Sequence, residues 1–183
     1  MKQNRENPFF ETYRTPFGTP PFDQIKTEQY EPAFDEGIRQ LDKEVRAIAD
    51  NTELPTIENT IVALERSGKL LDKVISAFFN VLNAEADDEM MDISQRVSPK
   101  LSESSNNIYL NEQLFARVKS VYDQKEELHL PTEDARLLEE TFEAFCVRGA
   151  ALGPEEKEKY RKLSSELSLL SLTFDQNALK DKN

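Results

Sequence analysis

The chain has 183 residues, five glycines, no tryptophan, one cysteine and a formal net charge of −12, with a sequence pI near 4.7. That length can bury a substantial core. The surplus of acid excludes a nucleic-acid surface, which needs clustered Lys and Arg to displace counterions, and it repels an anionic membrane surface. Lone Cys146 excludes an internal disulfide, as in a reducing cytoplasm, and no apolar run approaches the ~20 residues of a membrane-spanning helix. The start MKQNRENPFF has no apolar core of a signal peptide, although a chain whose signal had been removed for export would read the same.

Residues 7–34, NPFFETYRTPFGTPPFDQIKTEQYEPAF, hold five of the nine prolines and five of the eleven phenylalanines. They read as an irregular strap in which proline limits the entropy lost on ordering and phenylalanine anchors to a helical body. From Thr27 the pattern turns helical: Phe34, Ile38, Leu41, Val45 and Ile48 recur at steps of four and three. Pro32 is tolerable only in the opening turn, and NTELP at 51–55 ends the helix. Thr56 is the expected N-cap of a second helix with the stripe Ile57, Ile61, Leu64, Leu71, Ile75, Phe78 and Leu82. Gly68 falls inside that stripe, as a kink or a close helix–helix contact, and the two helices read as an antiparallel hairpin.

Asp87, Asp88 and Glu89 place negative charge where a third helix would begin. Its face is Ile93, Val97, Leu101 and Ile108, with Pro99 a kink point. Asn111 is the next expected cap, followed by Leu114, Val118, Val121 and Leu128. In LHLPTEDA, Pro131 breaks the chain and Thr132 caps a fifth helix with the stripe Leu138, Phe142 and Phe145. Gly149 and Gly153 bracket a turn, and Pro154 suits the first position of a last helix with the stripe Tyr160, Leu163, Leu167, Leu170 and Phe174. The fold expectation is all-α: about six mostly antiparallel helices, residues 27–183, behind an irregular Pro/Phe-rich strap, residues 1–26.

The chemistry is sparse. His129 is the only histidine, so no HExxH zinc motif lies in this chain, and it is expected to be structural or solvent-exposed. Nothing ties a serine or Cys146 to it, and no GxSxG, P-loop or GxGxxG occurs. Cys146, in AFCVRGA, is expected to be a buried, inert thiol. The clusters Asp87–Asp88–Glu89, Glu126–Glu127, Glu139–Glu140 and Glu155–Glu156 lack EF-hand spacing, and helix electrostatics accounts for them. The expected catalytic, cofactor-binding and metal residues are none.

TPFGTPPFDQIKTEQYEPAF (15–34), LPTIENTIVALERSGKLLDKV (54–74), VSPKLSESSNNIYLNEQLFARVKSVYD (97–123), LLEETFEAF (137–145) and YRKLSSELSLLSLTFDQN (160–177) together resemble the N-terminal region of bacterial peptidyl-dipeptidases. These belong to the thimet-oligopeptidase-like zinc metallopeptidases. The ENT and SPKL elements, in this order and at this distance, are the specific part of the match. The resemblance implies a mainly helical enzyme whose two halves flank a channel, with one zinc held by an HExxH pair and a downstream glutamate. It implies removal of C-terminal dipeptides from oligopeptide substrates, in the cytoplasm unless a signal segment was removed. It also implies that the N-terminal helices wall and roof the channel, and that the zinc motif lies beyond Asn183, in a C-terminal catalytic half. No catalytic residue carries over, and this part alone is expected to be inactive. The alternative is a stand-alone helical interaction module. A domain parted from such a half is expected to expose an apolar patch and to leave part of residues 7–23 loose.

Overall fold

A computed structural model describes residues 7–85 and 87–180. Their architecture is all-α, with six long helices: α1 (Tyr30–Ala49), α2 (Lys69–Glu85), α3 (Asp88–Tyr109), α4 (Glu112–Tyr122), α5 (Thr132–Val147) and α6 (Pro154–Lys180). The expected fold class and helix number are borne out. The chain groups into two compact units: one drawn from residues up to 41, 68–101 and from 168 onward, the other from 42–67 and 102–167.

In the first unit the strap leads into α1 through a 3-10 turn, Thr27–Gln29, where the Gln29 side chain accepts the Lys26 amide at 2.8 Å. Pro32 then sits in the first turn, where its missing N–H costs nothing. α1 and α2 run antiparallel, because Leu41 meets Gly68 while Phe34 and Tyr30 meet Phe78. The crossing is tight at Gly37: a Cβ there would lie 3.0 Å from the Leu71 Cα. Phe9, Tyr30, Phe34 and Phe78 form a chain of aromatic contacts with centroids 5.1–5.3 Å apart, tilted or edge-on as the ring quadrupole favours. Val74, Ile93 and Val97 complete this core. α3 runs parallel to α1: Glu31 pairs with Arg96, and Lys100 with Asp35, at 3.0 and 2.6 Å.

In the second unit, α4 and α5 are antiparallel, with Phe115 stacked on Phe145 and Tyr122 on Phe142. Ile61, Leu114, Val118, Val121, Leu138 and Phe145 are buried between them and the segment that follows Thr56. Asn111 caps α4 by accepting the Leu114 amide at 2.9 Å, as its position before the stripe predicts.

Several expectations need correction. The second helix is not continuous. Thr56 does cap it, but residues Ile57–Val62 form a π-turn in which the Ala63 amide reaches the Glu58 carbonyl. A short α-turn follows, and Gly68 at φ +75° ends the segment before α2 restarts. Gly68 is thus both break and close contact, since a Cβ would lie 3.1 Å from the Leu41 Cδ1. Pro99 lies inside α3, as its place on the expected third helix requires. Leu128 lies in turns beyond the end of α4 and is exposed, and Pro131 rather than Thr132 occupies the N-cap of α5. The strap is packed at its start: Phe9 and Asn7 are buried, and the Asn7 amide donates to the Gln29 carbonyl at 2.8 Å. The expectation of looseness therefore does not hold for residues 7–13, whereas Phe17 is fully exposed and Phe22 half-exposed.

Gly68→Ala forces a side chain into the left-handed region and against Leu41, and is expected to cost about 1–2 kcal/mol in urea unfolding. An unchanged midpoint would show that the break between the π-segment and α2 does not depend on glycine.

Candidate functional site

The residues of the ENT element form the densest polar cluster of the second unit. Asn59 Oδ1 accepts from the Thr56 amide (2.9 Å), the Thr60 hydroxyl (2.9 Å) and the Arg117 guanidinium (3.0 Å), while its amide donates to the Leu54 carbonyl (3.0 Å). Arg117 comes from α4 and is only 7% exposed. Its Nη1 donates to the Asn51 and Glu53 carbonyls at 2.6 and 3.0 Å, and its Nη2 also reaches the Thr60 hydroxyl at 3.2 Å. Five donors in a fixed fork let one side chain satisfy a loop that carries backbone carbonyls inward. The Nε is buried without a partner. Every acceptor is neutral, so this is a structural clasp and not an anion site.

The SPKL element is likewise absorbed by packing. Ser98 donates to the Ser94 carbonyl at 2.7 Å, and Lys100 bridges Asp35 and Glu31 from α3 to α1. The hydrogen bond to Asp35, followed by the charges of Asp35 and Glu31, raises the Lys100 pKa against the effect of burial.

The strap is fixed by Lys73 of α2. Its ammonium donates to the Phe9 and Glu11 carbonyls at 2.9 and 2.6 Å and lies 3.6 Å from the centroid of the Tyr13 ring. Burial lowers the Lys73 pKa below the ordinary lysine value. Tyr13 is pushed up to about 12, chiefly by burial and secondarily by Tyr30, and its hydroxyl is buried without a partner. Beside these groups lies an open cleft of about 610 Å³ whose lining includes Phe10, Tyr13, Glu36, Gln40 and Lys73. Glu36 is held down at about 2 by hydrogen bonds from Arg39 and then Gln40. Glu36 is thus already satisfied by Arg39 and Gln40, and Tyr13 retains its proton.

α6 is the anomaly. Its polar face is turned to the fold: Lys157 is buried and donates to Glu112, Arg161 donates to Asn107, and Asn106 donates to Ser164, at 3.1, 3.0 and 2.8 Å. Its apolar stripe points out, with Leu163, Leu167, Leu170 and Phe174 between 64 and 72% exposed. The first half of the helix docks by hydrogen bonds from the opposite face. Tyr160 alone of that set is half-buried.

The other singled-out residues are scattered. His129 is exposed in a turn at φ +45°. Cys146 is exposed, not buried: Phe145 takes the inward position of α5, and one residue on the helix turns ~100° away from it. Asp87 caps α3 by accepting the Met90 amide at 2.8 Å, Glu139 and Glu140 pair with Lys125 and Arg136, and Glu156 accepts the Gly153 amide at the start of α6. Among the described residues no group of three His, Cys, Asp or Glu side chains could hold a metal ion.

Several known proteins contain a similar sequence. Dipeptidyl carboxypeptidase of Escherichia coli (strain K12) is 42% identical over 173 residues, which is 94% of this chain and 25% of that protein. This chain is a relative of the dipeptidyl carboxypeptidases. The Salmonella typhimurium dipeptidyl carboxypeptidase matches at 40% identity with the same coverage of both chains. More distantly, oligopeptidase A of Haemophilus influenzae is 24% identical over 88% of this chain and 24% of its own. No family model matches the chain. The chain spans about a quarter of the length of these relatives.

Sequence reading singled out the ENT and SPKL elements but missed Arg117, the partner that gives the ENT element its meaning, and Lys73, which pins the strap. The available signal for Arg117 was its place on the stripe: it lies three residues after Leu114 and four before Val121, where an apolar residue is expected.

Arg117→Met leaves the Asn51 and Glu53 carbonyls, Asn59 and Thr60 short of a donor, and is expected to cost about 3 kcal/mol in urea unfolding. Arg117→Lys should recover only part of it, and full rescue by lysine would show that charge rather than the fork matters. Tyr13 keeps its proton to about 12 when folded, whereas an unfolded tyrosine loses it near ~10. Its contribution is therefore intact below pH 10 and is lost as pH rises from 10 towards 12. Tyr13→Phe should flatten that decline and, by deleting an unpartnered buried hydroxyl, stabilise at neutral pH by about 1 kcal/mol. A loss of stability in Tyr13→Phe would mean that the hydroxyl has a partner in solution.

Proposed function

We propose that this chain is the N-terminal helical domain of a zinc-dependent peptidyl-dipeptidase, residues 1–26 forming its strap and 27–183 its helical body. The observation that carries the reading is the 42% identity to a dipeptidyl carboxypeptidase over nearly the whole chain, against a quarter of that protein's length. The relatives' printed name describes release of dipeptides from the C-terminus, so the parent's substrates are oligopeptides, and its compartment on this reading is the cytoplasm. The domain's role is architectural: it contributes rigid helices to the wall and roof of the substrate channel. The clasped ENT segment and the pinned strap support this, because both spend their polar groups on holding helices together.

Zinc would polarise the scissile carbonyl and lower the pKa of a water in the parent enzyme. The residues of this chain do not fit such a centre. The single histidine is exposed in a turn, the cysteine is exposed on α5, and the described carboxylates are not grouped as ligands. The ion and the water-activating glutamate belong, on this reading, to the part of the parent that lies outside this chain.

A stand-alone interaction module is the competing reading, and the outward stripe of α6 is what favours it. The two separate on one comparison. The full-length product of the gene should release dipeptides from an N-blocked oligopeptide and lose that activity to a chelator. The 183-residue chain should bind no stoichiometric zinc and cleave nothing. A full-length product without an HExxH sequence, or without chelator-sensitive cleavage, would sink the peptidase reading.

A further inference from the structure

We infer that residues 15–19 are a two-state lid: a strained turn holds Phe17 out in solvent, and release of that turn closes its ring onto the cleft beside it. Every residue involved lies in the first compact unit. The Gly18 amide donates to the Thr15 carbonyl at 3.0 Å, which closes a turn with Pro16 and Phe17 at its centre. Phe17 stands there at φ 60°, ψ 12°, the left-handed second central position of a type II turn, which ordinarily requires glycine. Thr-Pro-Phe-Gly is instead the pattern of a type I turn, with proline second, glycine fourth and no left-handed residue at its centre. The bulkiest side chain of the tip thus occupies the strained position, and its ring is fully exposed. Such residues persist only where their neighbours impose the conformation, and they mark switch regions.

The neighbour that imposes it is Thr19. Its amide and hydroxyl both donate to the Pro16 carbonyl, at 3.4 and 3.1 Å, and its own carbonyl accepts from the Thr15 hydroxyl. Pro16 and Thr19 are exposed, so water replaces these bonds at little cost. Flipping the Pro16–Phe17 peptide converts type II to type I, turns the Pro16 carbonyl away from Thr19 and frees Gly18 to act as a pivot. Gly18 already lines the cleft of about 610 Å³, which has far more room than one phenyl ring needs. The apolar part of its lining includes Phe10, Tyr13 and Leu70, each only partly buried. Closure takes the ring of Phe17 out of water and sets it beside two other aromatic rings. Burial and relief of strain therefore act together against the bonds made by Thr19. The closed cleft is filled by the chain itself, and a molecule entering it must hold the lid open.

The sequence has no tryptophan, so Phe17→Trp installs a single fluorescent reporter at an exposed position where substitution does not endanger the fold. Closure predicts that acrylamide quenches this indole about threefold less in the folded chain than in urea, and that its protons show nuclear Overhauser contacts to the Tyr13 ring. Gly18→Ala supplies a bias. A Cβ there meets nothing within 4 Å, yet φ +67° is unfavourable for alanine, so only the open state is penalised. Added to the reporter, it should lower quenching by about a further twofold. Simple loosening of the tip would raise quenching instead. Quenching as strong as in urea, an increase with Gly18→Ala, or protection without contacts to Tyr13 would overturn the lid. Protection that grows with protein concentration would assign Phe17 to a second copy and overturn it as well.

Discussion

The second unit depends on one guanidinium. Arg117 projects from α4 into a loop and π-turn that carry their carbonyls inward, and it supplies the donors that the loop lacks. Without it, the Asn51 and Glu53 carbonyls would lose the donor that ties this partly buried loop to α4. Asn59 is the necessary counterpart, since it organises the Thr56 cap and the Thr60 hydroxyl around the same fork. The apolar contacts of Ile61, Leu114 and Val118 follow from that arrangement: burial is non-directional, and the polar clasp selects the register in which the stripes meet.

Lys73 does for the strap what Arg117 does for the loop. A strap of this composition has few internal hydrogen bonds, so its carbonyls must find donors elsewhere, and Lys73 serves two of them while packing on Tyr13. Both cations are spent on backbone acceptors, which removes them from any role in binding a substrate anion. The strap and the ENT and SPKL elements are thus held as scaffold within this fold.

Much of the architecture was legible in the residues. Thr56 and Asn111 were readable as caps because a short acceptor side chain before an apolar stripe has few other uses. The order of helices followed from periodicity and from Pro131 and Pro154. Three features were not readable, each for a physical reason. Gly68 was readable as a kink or a close contact, but the full break there was hidden because the stripe resumes in phase beyond it, so periodicity sees one helix where the backbone makes two. The exposure of Cys146 was hidden because an apolar run at the end of a helix still has an outward side. The orientation of α6 was hidden because a stripe says which residues share a face and not which face is covered. Its polar face was satisfied inside this chain by Glu112, Asn107 and Asn106, which no local pattern announces.

The account stands on the claim that the residues carrying the family likeness hold the fold together as a coupled unit. A double-mutant cycle on Asn59→Ala and Arg117→Met, measured by urea unfolding of the 183-residue chain, addresses it directly. Coupling of about 1–3 kcal/mol is the predicted result, since each substitution removes the partner the other needs. Additive effects would contradict the claim and make Asn59 and Arg117 independent, locally useful residues.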